Sequence, residues 1–302
     1  MLRLLLRLLL FALPIAALFA ALEWKLRSVP TSFSVQQAVL RERAATAEVL
    51  VVGSSHEHYG FYPPALGCPA VNLANVSQSL ELSARIAERV ELPKLRQAVF
   101  GLSYFSFGYR LRQSSEKWRM GFYEHYFGVR EETGAVRLPQ LSDFSVAALY
   151  DAGTAWYVLH HQEPEGAVGD GGWQEAKSRA NLDDDAAAAR RVAGHEASID
   201  DAFRPGNVAV AHRAIQLLEA RGVRVTFVFL PVHESYRRRF DPETLRKNGK
   251  DLARALEGTR ARVLDYQADP RFGPGDFVDF DHLGPGGARK LTRILSADLG
   301  CP

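Results

Sequence analysis

Residues 48–60, EVLVVGSSHEHYG, constrain the fold of this chain more than any other stretch. The apolar run VLVV at positions 49–52 reads as a buried strand of a parallel sheet. It empties at once into Gly53-Ser54-Ser55, small residues that permit a tight strand-to-helix turn. In open α/β sheets ligands bind beyond the carboxyl ends of the strands, so a serine on that turn, Ser55, stands where chemistry is done. Taken alone, the stretch is equally an ordinary turn, because glycine and serine commonly follow strands.

Strand and helix alternate on both sides of one interruption. Residues 70–73 (AVNL) form a second strand, residues 80–90 a helix with apolar spacing at Leu80, Ala84, Ala87 and Val90, and residues 98–102 a third strand running into Ser103 and Tyr104. Beyond Pro205 come a helix over 209–220 that stops at Gly222, a strong strand over 223–230 (VRVTFVFL), and a helix over 241–257 with Asp241 as N-cap and Pro242 at its first position. A fifth strand over 262–266 and a last helix over 285–299 complete the pattern. Repeated strand–helix–strand units call for right-handed crossovers and a parallel sheet. Between about 105 and 204 the alternation lapses. Its first part is aromatic (Phe105 to Phe127), and residues 163–172 and 183–185 read as polar loops, so the segment is taken as a helical insertion whose aromatics form the core of a small lobe.

The chain opens MLRLLLRLLLFALPIAALFAALEWKLR, apolar without interruption over residues 8–22. At about 1.5 Å per residue, residues 2–22 cross a hydrocarbon core of roughly 30 Å, with Arg3 and Arg7 snorkelling. Alanines between 16 and 21 support a cleaved signal peptide, but no small-x-small site is followed by a polar mature terminus, so an uncleaved anchor is preferred, with Trp24 at the interface. The expected organisation is an anchor over 1–27, a juxtamembrane connector over 28–47 with a short helix whose charges suggest a solvated face, and one α/β domain over 48–302 that carries the insertion. Lysine plus arginine (37) against aspartate plus glutamate (35) leaves +2, which excludes the footprint of a nucleic-acid binder. Cys68 precedes the second strand and Cys301 follows the last helix, so both fall at the amino edge of the sheet; a bridge and two independent thiols both stay open.

Near the end of the chain, Asp279-Phe280-Asp281-His282 places a carboxylate and an imidazole on one short turn, where the carboxylate can orient the ring. A serine needs such a base, its hydroxyl being a poor nucleophile at neutral pH. A first strand ending in Gly-x-Ser and a last loop carrying Asp-x-x-His resemble the SGNH (GDSL-like) hydrolase superfamily. The N-terminal apolar helix and Pro231-Val232-His233 are most similar to its membrane-anchored branch, which includes D-alanyl transfer and alginate acetylation proteins. The resemblance covers residues 48–104 and 209–299.

It implies a flavodoxin-like three-layer sandwich with a five-stranded parallel sheet in the order 2-1-3-4-5, bringing Ser55, Ser103 and His282 around one crevice. It implies Ser55 as nucleophile, His282 as base and Asp279 as orienter, Asp279 being preferred to Asp281 because its three-residue offset matches the family turn. Oxyanion donors are expected from the second block, where Asn75 is followed by Ser77 at a position usually held by glycine, and from the third, where Ser103 replaces asparagine. These departures put hydrolysis of ordinary esters in doubt and fit a specialised transferase, as they would a lapsed enzyme. His56 is expected to face the substrate and His233 to line the pocket. His56 and His58 diverge on a helix, so neither a metal nor a cofactor is called for. The implied protein is a single-pass enzyme of the cell inner membrane with its domain in the periplasm, an acyltransferase or esterase acting on an acylated glycan. Its implied partners are the bilayer and a multispanning membrane-bound O-acyltransferase, with contact through the aromatics of residues 105–127. A solitary esterase or deacetylase and a non-catalytic scaffold are the alternatives.

Overall fold

The structure is a computed structural model that describes residues 1–132, 140–161, 169–176 and 179–301. Strands β1 (Val49–Val52), β2 (Ala70–Asn72), β3 (Gln97–Leu102), β4 (Arg224–Phe229) and β5 (Arg262–Asp265) form one all-parallel sheet in the order β2-β1-β3-β4-β5. The direction of winding reverses between β1 and β3, which opens a crevice at their carboxyl ends. Helices α1 (Leu2–Ser28) and α2 (Ser32–Arg43) precede the sheet, α3 (Ser55–Gly60) leaves β1, and α4 (Leu80–Arg89) joins β2 to β3. Helices α5 (Met120–Phe127), α6 (Ala152–His161) and α7 (Asp185–Glu196) follow β3, and α8 (Arg204–Ala220) leads into β4. After β4 come α9 (Glu234–Arg237), α10 (Pro242–Leu256) and, beyond β5, α11 (Pro285–Leu299).

The unbroken apolar run of β1 follows from burial on both faces. Leu50 and Val52 pack in one cluster with Ala84 of α4, Ile215 of α8 and Ala255 of α10, while Val49 and Val51 share a second cluster with Leu291, Leu295 and Leu299 of α11. Fully burying each such side chain contributes about 1.5–3 kcal/mol.

One reading of the segment after β3 needs correction. Phe105, Phe107, Tyr109, Phe122, Tyr123 and Phe127 join the cluster of Leu50 and Phe100 rather than the core of a separate lobe, so they extend the main core, while Trp118 of the same stretch is exposed. The connector helix α2 has a buried side opposite its charged one: Phe33 packs on Phe122 and Tyr123 at ring-centroid distances of 5.2 and 4.9 Å, and Gln36 is fully buried. Of the polar residues 183–185, Asp183 and Asp184 lie in the turn before α7 and Asp185 begins the helix, with the Asp184 carboxylate accepting the Ala187 N–H. Of the expected loop over 163–172, residues 163–168 lie outside the described residues.

Helix α1 contains one stretch, Leu6–Ser28, that is long and apolar enough to cross a membrane. Its last turns dock on the domain, burying Leu26 and Val29 against Val146 and Val158. Cys68 and Cys301 are joined by a disulfide, their Cα atoms 5.3 Å apart across 233 residues of sequence.

Candidate active site

Ser54 caps α3, and Glu57 completes a reciprocal capping box, its Oε2 accepting the Ser54 N–H at 2.9 Å. Ser55 is thereby the first residue of the helix, half-buried at the carboxyl end of β1. On the approach to α11, Asp279 Oδ1 accepts the N–H groups of Asp281 at 3.0 Å and His282 at 2.7 Å, a tight turn that lays the carboxylate beside the ring. His282 Nδ1 lies 2.9 Å from Asp279 Oδ2, and Nε2 lies 2.8 Å from Ser55 Oγ. An ionised carboxylate only accepts, so Nδ1 carries the proton and Nε2 is left to accept from the serine hydroxyl.

A second line of polar groups runs beneath Ser55. Arg191 of α7 donates from Nε and Nη2 to the two oxygens of Asp281 at 2.8 and 2.9 Å, and Asp281 Oδ2 lies 3.2 Å from His56 Nε2. His56 Nδ1 is 3.0 Å from Ser103 Oγ, which is 3.1 Å from Ser54 Oγ. The arrangement is consistent with one direction of donation: Ser54 to Ser103, Ser103 to His56, His56 to Asp281. Burial pulls the His56 pKa down despite Asp281, in keeping with a neutral ring. Burial opposes ionisation of Asp281, but His282, His56 and Arg191 outweigh it and hold its carboxyl well below the usual range.

For His282, burial disfavours the charged ring, yet Asp281 and then Asp279 prevail and raise its pKa above 6.5. Asp281→Asn removes the larger raising contribution and leaves Arg191 uncompensated. The His282 ring is therefore expected to titrate above 6.5 in the native protein and at lower pH in Asp281→Asn, as followed by NMR of the ring nitrogens.

Glu57 occupies a slot made by two glycines. A Cβ at Gly53 would fall 2.2 Å from Glu57 Oε2, and one at Gly101 would fall 1.8 Å from its Cδ. The carboxyl is buried, Oε1 has no partner, and burial raises its pKa from 4.5 to about 8. The unfolded chain ionises this group above 4.5 and the folded protein only above about 8, so the native state is increasingly penalised as pH rises through that window. Glutamine has no such proton to lose. Glu57→Gln is expected to match the native protein at pH ~4 and to exceed it by up to about 3 kcal/mol at pH ~7 in denaturant titrations.

Ser55, Asp279 and His282 open into a cavity of about 810 Å³ that the segment after β3 helps to line, with Ser77, Phe105, Arg191 and His195 in its wall. Burial pulls the pKa of His195 down to about 3, so that ring is neutral. Ser77 is the one non-glycine residue with positive φ (58°) among the described residues, at the position where the resemblance expects glycine. Four other expected positions fall elsewhere. Asn75 is fully buried and turned toward α2, its Nδ2 donating to Ser32 Oγ and Gln36 Oε1, each at 3.0 Å, so its side chain offers no donor to the cavity. Ser103 and His56 lie below the Ser55 turn, engaged with each other. His233 lines a separate pocket with Phe272 and Phe277, its Nδ1 2.8 Å from Ser235 Oγ.

The donor atoms of His56, Asp281 and His282 lie within 4.8 Å of one another, a grouping that could hold a metal ion. The Arg191 guanidinium, however, covers both oxygens of Asp281, and His282 Nε2 faces Ser55. This donor set does not fit a resident cation, whose charge would oppose that guanidinium. The residues that sequence reasoning missed are Arg191, Glu57 and the structural role of Asp281. The capping Asp184 and the alanine run after it were the readable signal for the helix that carries Arg191.

No known family's sequence profile matches this chain, and no curated protein matches it. Among solved structures it is similar to a protein of Streptococcus pneumonia provisionally described as a platelet activating factor, at 9% identity and a TM-score of 0.43, covering 96% of this chain and 98% of that one.

Proposed function

We propose that this chain is a serine esterase or acyltransferase of the SGNH kind, held at the outer face of a membrane by α1 and working on an acylated glycan or similar hydroxyl-rich polymer. The observation that carries the reading is the line from Ser55 Oγ to His282 Nε2, 2.8 Å, and from His282 Nδ1 to Asp279, 2.9 Å. In the proposed reaction Ser55 Oγ attacks the acyl carbonyl carbon while His282 Nε2 takes the hydroxyl proton. The tetrahedral oxyanion is held by backbone N–H groups of Ser55 and Ser77, each such donor contributing about 10²- to 10³-fold in rate. Collapse expels the alcohol, which takes the proton from His282 and leaves an ester on Ser55. A second alcohol or water then attacks that ester, His282 again moving the proton.

The polar residues Ser114, Ser115, Glu116 and Gln174 in the cavity wall are in keeping with a hydroxyl-rich substrate. The Cys68–Cys301 bridge supports an oxidising compartment such as the periplasm. The proposed organisation keeps residues 1–27 as anchor, 28–47 as connector and 48–302 as the enzymatic domain. A multispanning O-acyltransferase is the proposed source of the acyl group, since an activated cytoplasmic thioester does not cross a bilayer by itself.

The test is incubation of the full chain with a fluorophosphonate probe, followed by peptide mass spectrometry. An adduct on Ser55 that disappears in His282→Ala is expected. A folded chain without an adduct there would overturn the enzymatic reading and leave a binding scaffold.

A further inference from the structure

Helix α1 does not leave the domain through a loose tether. The Glu23 carboxylate accepts the N–H groups of Val146 at 3.0 Å and Ala147 at 2.8 Å and the Ser145 hydroxyl at 2.8 Å, while Arg27 donates to the Phe144 carbonyl at 3.0 Å. The inner sides of this turn and of α6 are occupied by α1 itself, through Val146 and Val158 against Leu26 and Val29. Their outer sides are uncovered: Phe144 is 71% exposed, Trp156 67% and Leu141 62%, and Trp24 on the helix is 73% exposed. Single exposed apolar residues are ordinary on protein surfaces. Here the large ones gather where one apolar helix enters the domain.

Depth follows from helix geometry. At about 1.5 Å per residue, residues 2–22 match a hydrocarbon core of roughly 30 Å, which puts its outer boundary near Leu22 and Glu23. The 144–147 turn is hydrogen-bonded to Glu23 and so sits within about one helical turn of that boundary. Aromatic side chains are favoured at this level, where an apolar ring meets a wet headgroup layer.

We propose that residues 141–161 form a collar seated in the headgroup layer of the bilayer, with Phe144 and Trp156 embedded beside Trp24. The occupant of this apolar face is lipid, because the face continues the surface of α1 at the depth where that helix leaves the membrane. The proposal rests on α1 spanning the bilayer. It adds a second attachment, so that the domain is held in one orientation and its cavity at a fixed height.

The experiment uses the full chain in vesicles of phosphatidylethanolamine and phosphatidylglycerol, labelled with an environment-sensitive fluorophore at single introduced cysteines. The sites are Phe144→Cys and Trp156→Cys, with Leu13→Cys inside α1 and Lys250→Cys on the exposed side of α10 as references. Expected is quenching at 144 and 156 several-fold stronger by a nitroxide at headgroup depth than by aqueous iodide, the reverse at 250, and quenching at 13 by a deep nitroxide. Iodide quenching at 144 and 156 equal to that at 250, with 13 still deep, overturns the collar while leaving the anchor intact. Protection of 144 and 156 from both quenchers shows protein covering them and also overturns it. Iodide access at 13 removes the spanning helix, and the collar with it.

Discussion

Ser55→Ala is expected to lower ester turnover by about 10⁴-fold or more while leaving the fold intact. The side chain is half-buried and its hydroxyl bonds to His282 Nε2, so alanine removes the nucleophile and creates no large cavity. His282→Ala should cost about as much, and the double substitution little more, since the two act in one step. Asp279→Asn is expected to lose a comparable factor through a different route. An amide at that position can present its N–H₂ to Nδ1, so the ring proton moves to Nε2 and the base no longer faces Ser55. Single-turnover acylation by an activated ester, measured beside thermal melts, checks all three. Retained turnover in Ser55→Ala would place the chemistry elsewhere in the molecule.

The second large effect concerns stability. Cys68 and Cys301 enclose 233 residues, and the chain-entropy relation gives about 5 kcal/mol for a loop of that length. Replacing both with serine is expected to lower the melting temperature by roughly 8 °C. At low temperature the same variant should acylate at the native rate, because the bridge is at the amino edge of the sheet and Ser55 at the carboxyl edge. A melting temperature within about 2 °C of the native protein would show that the unfolded chain gains little freedom from the cut.

The sheet was legible because its signals are local. The VLVV run needs no partner to be read as a doubly buried strand, and Asp241 with Pro242 announces a helix start that the structure reproduces, Asp241 Oδ2 accepting the Thr244 N–H at 2.8 Å. The Gly-x-Ser turn and the Asp-x-x-His turn were legible for the same reason, each being a few residues long. The polar line under the nucleophile was not, because it joins residues such as His56 and Asp281 that are 225 positions apart. Asn75 was misassigned on its residue type alone; whether its amide faced the cavity or α2 depended on Gln36, which no pattern near Asn75 reveals. The aromatics after β3 were visible as apolar, but periodicity does not say which neighbour an apolar face will meet.

The distance in sequence between the two halves of the site also sets a timetable. Ser55 and His282 are 227 residues apart, which at about 5–20 residues per second amounts to roughly 10–50 s of chain growth. Throughout that interval the serine hydroxyl has no base and is no more reactive than any other alcohol. Under the proposed function a newly made chain therefore passes among acyl donors without being modified, and becomes competent only when its closing segment docks against β1.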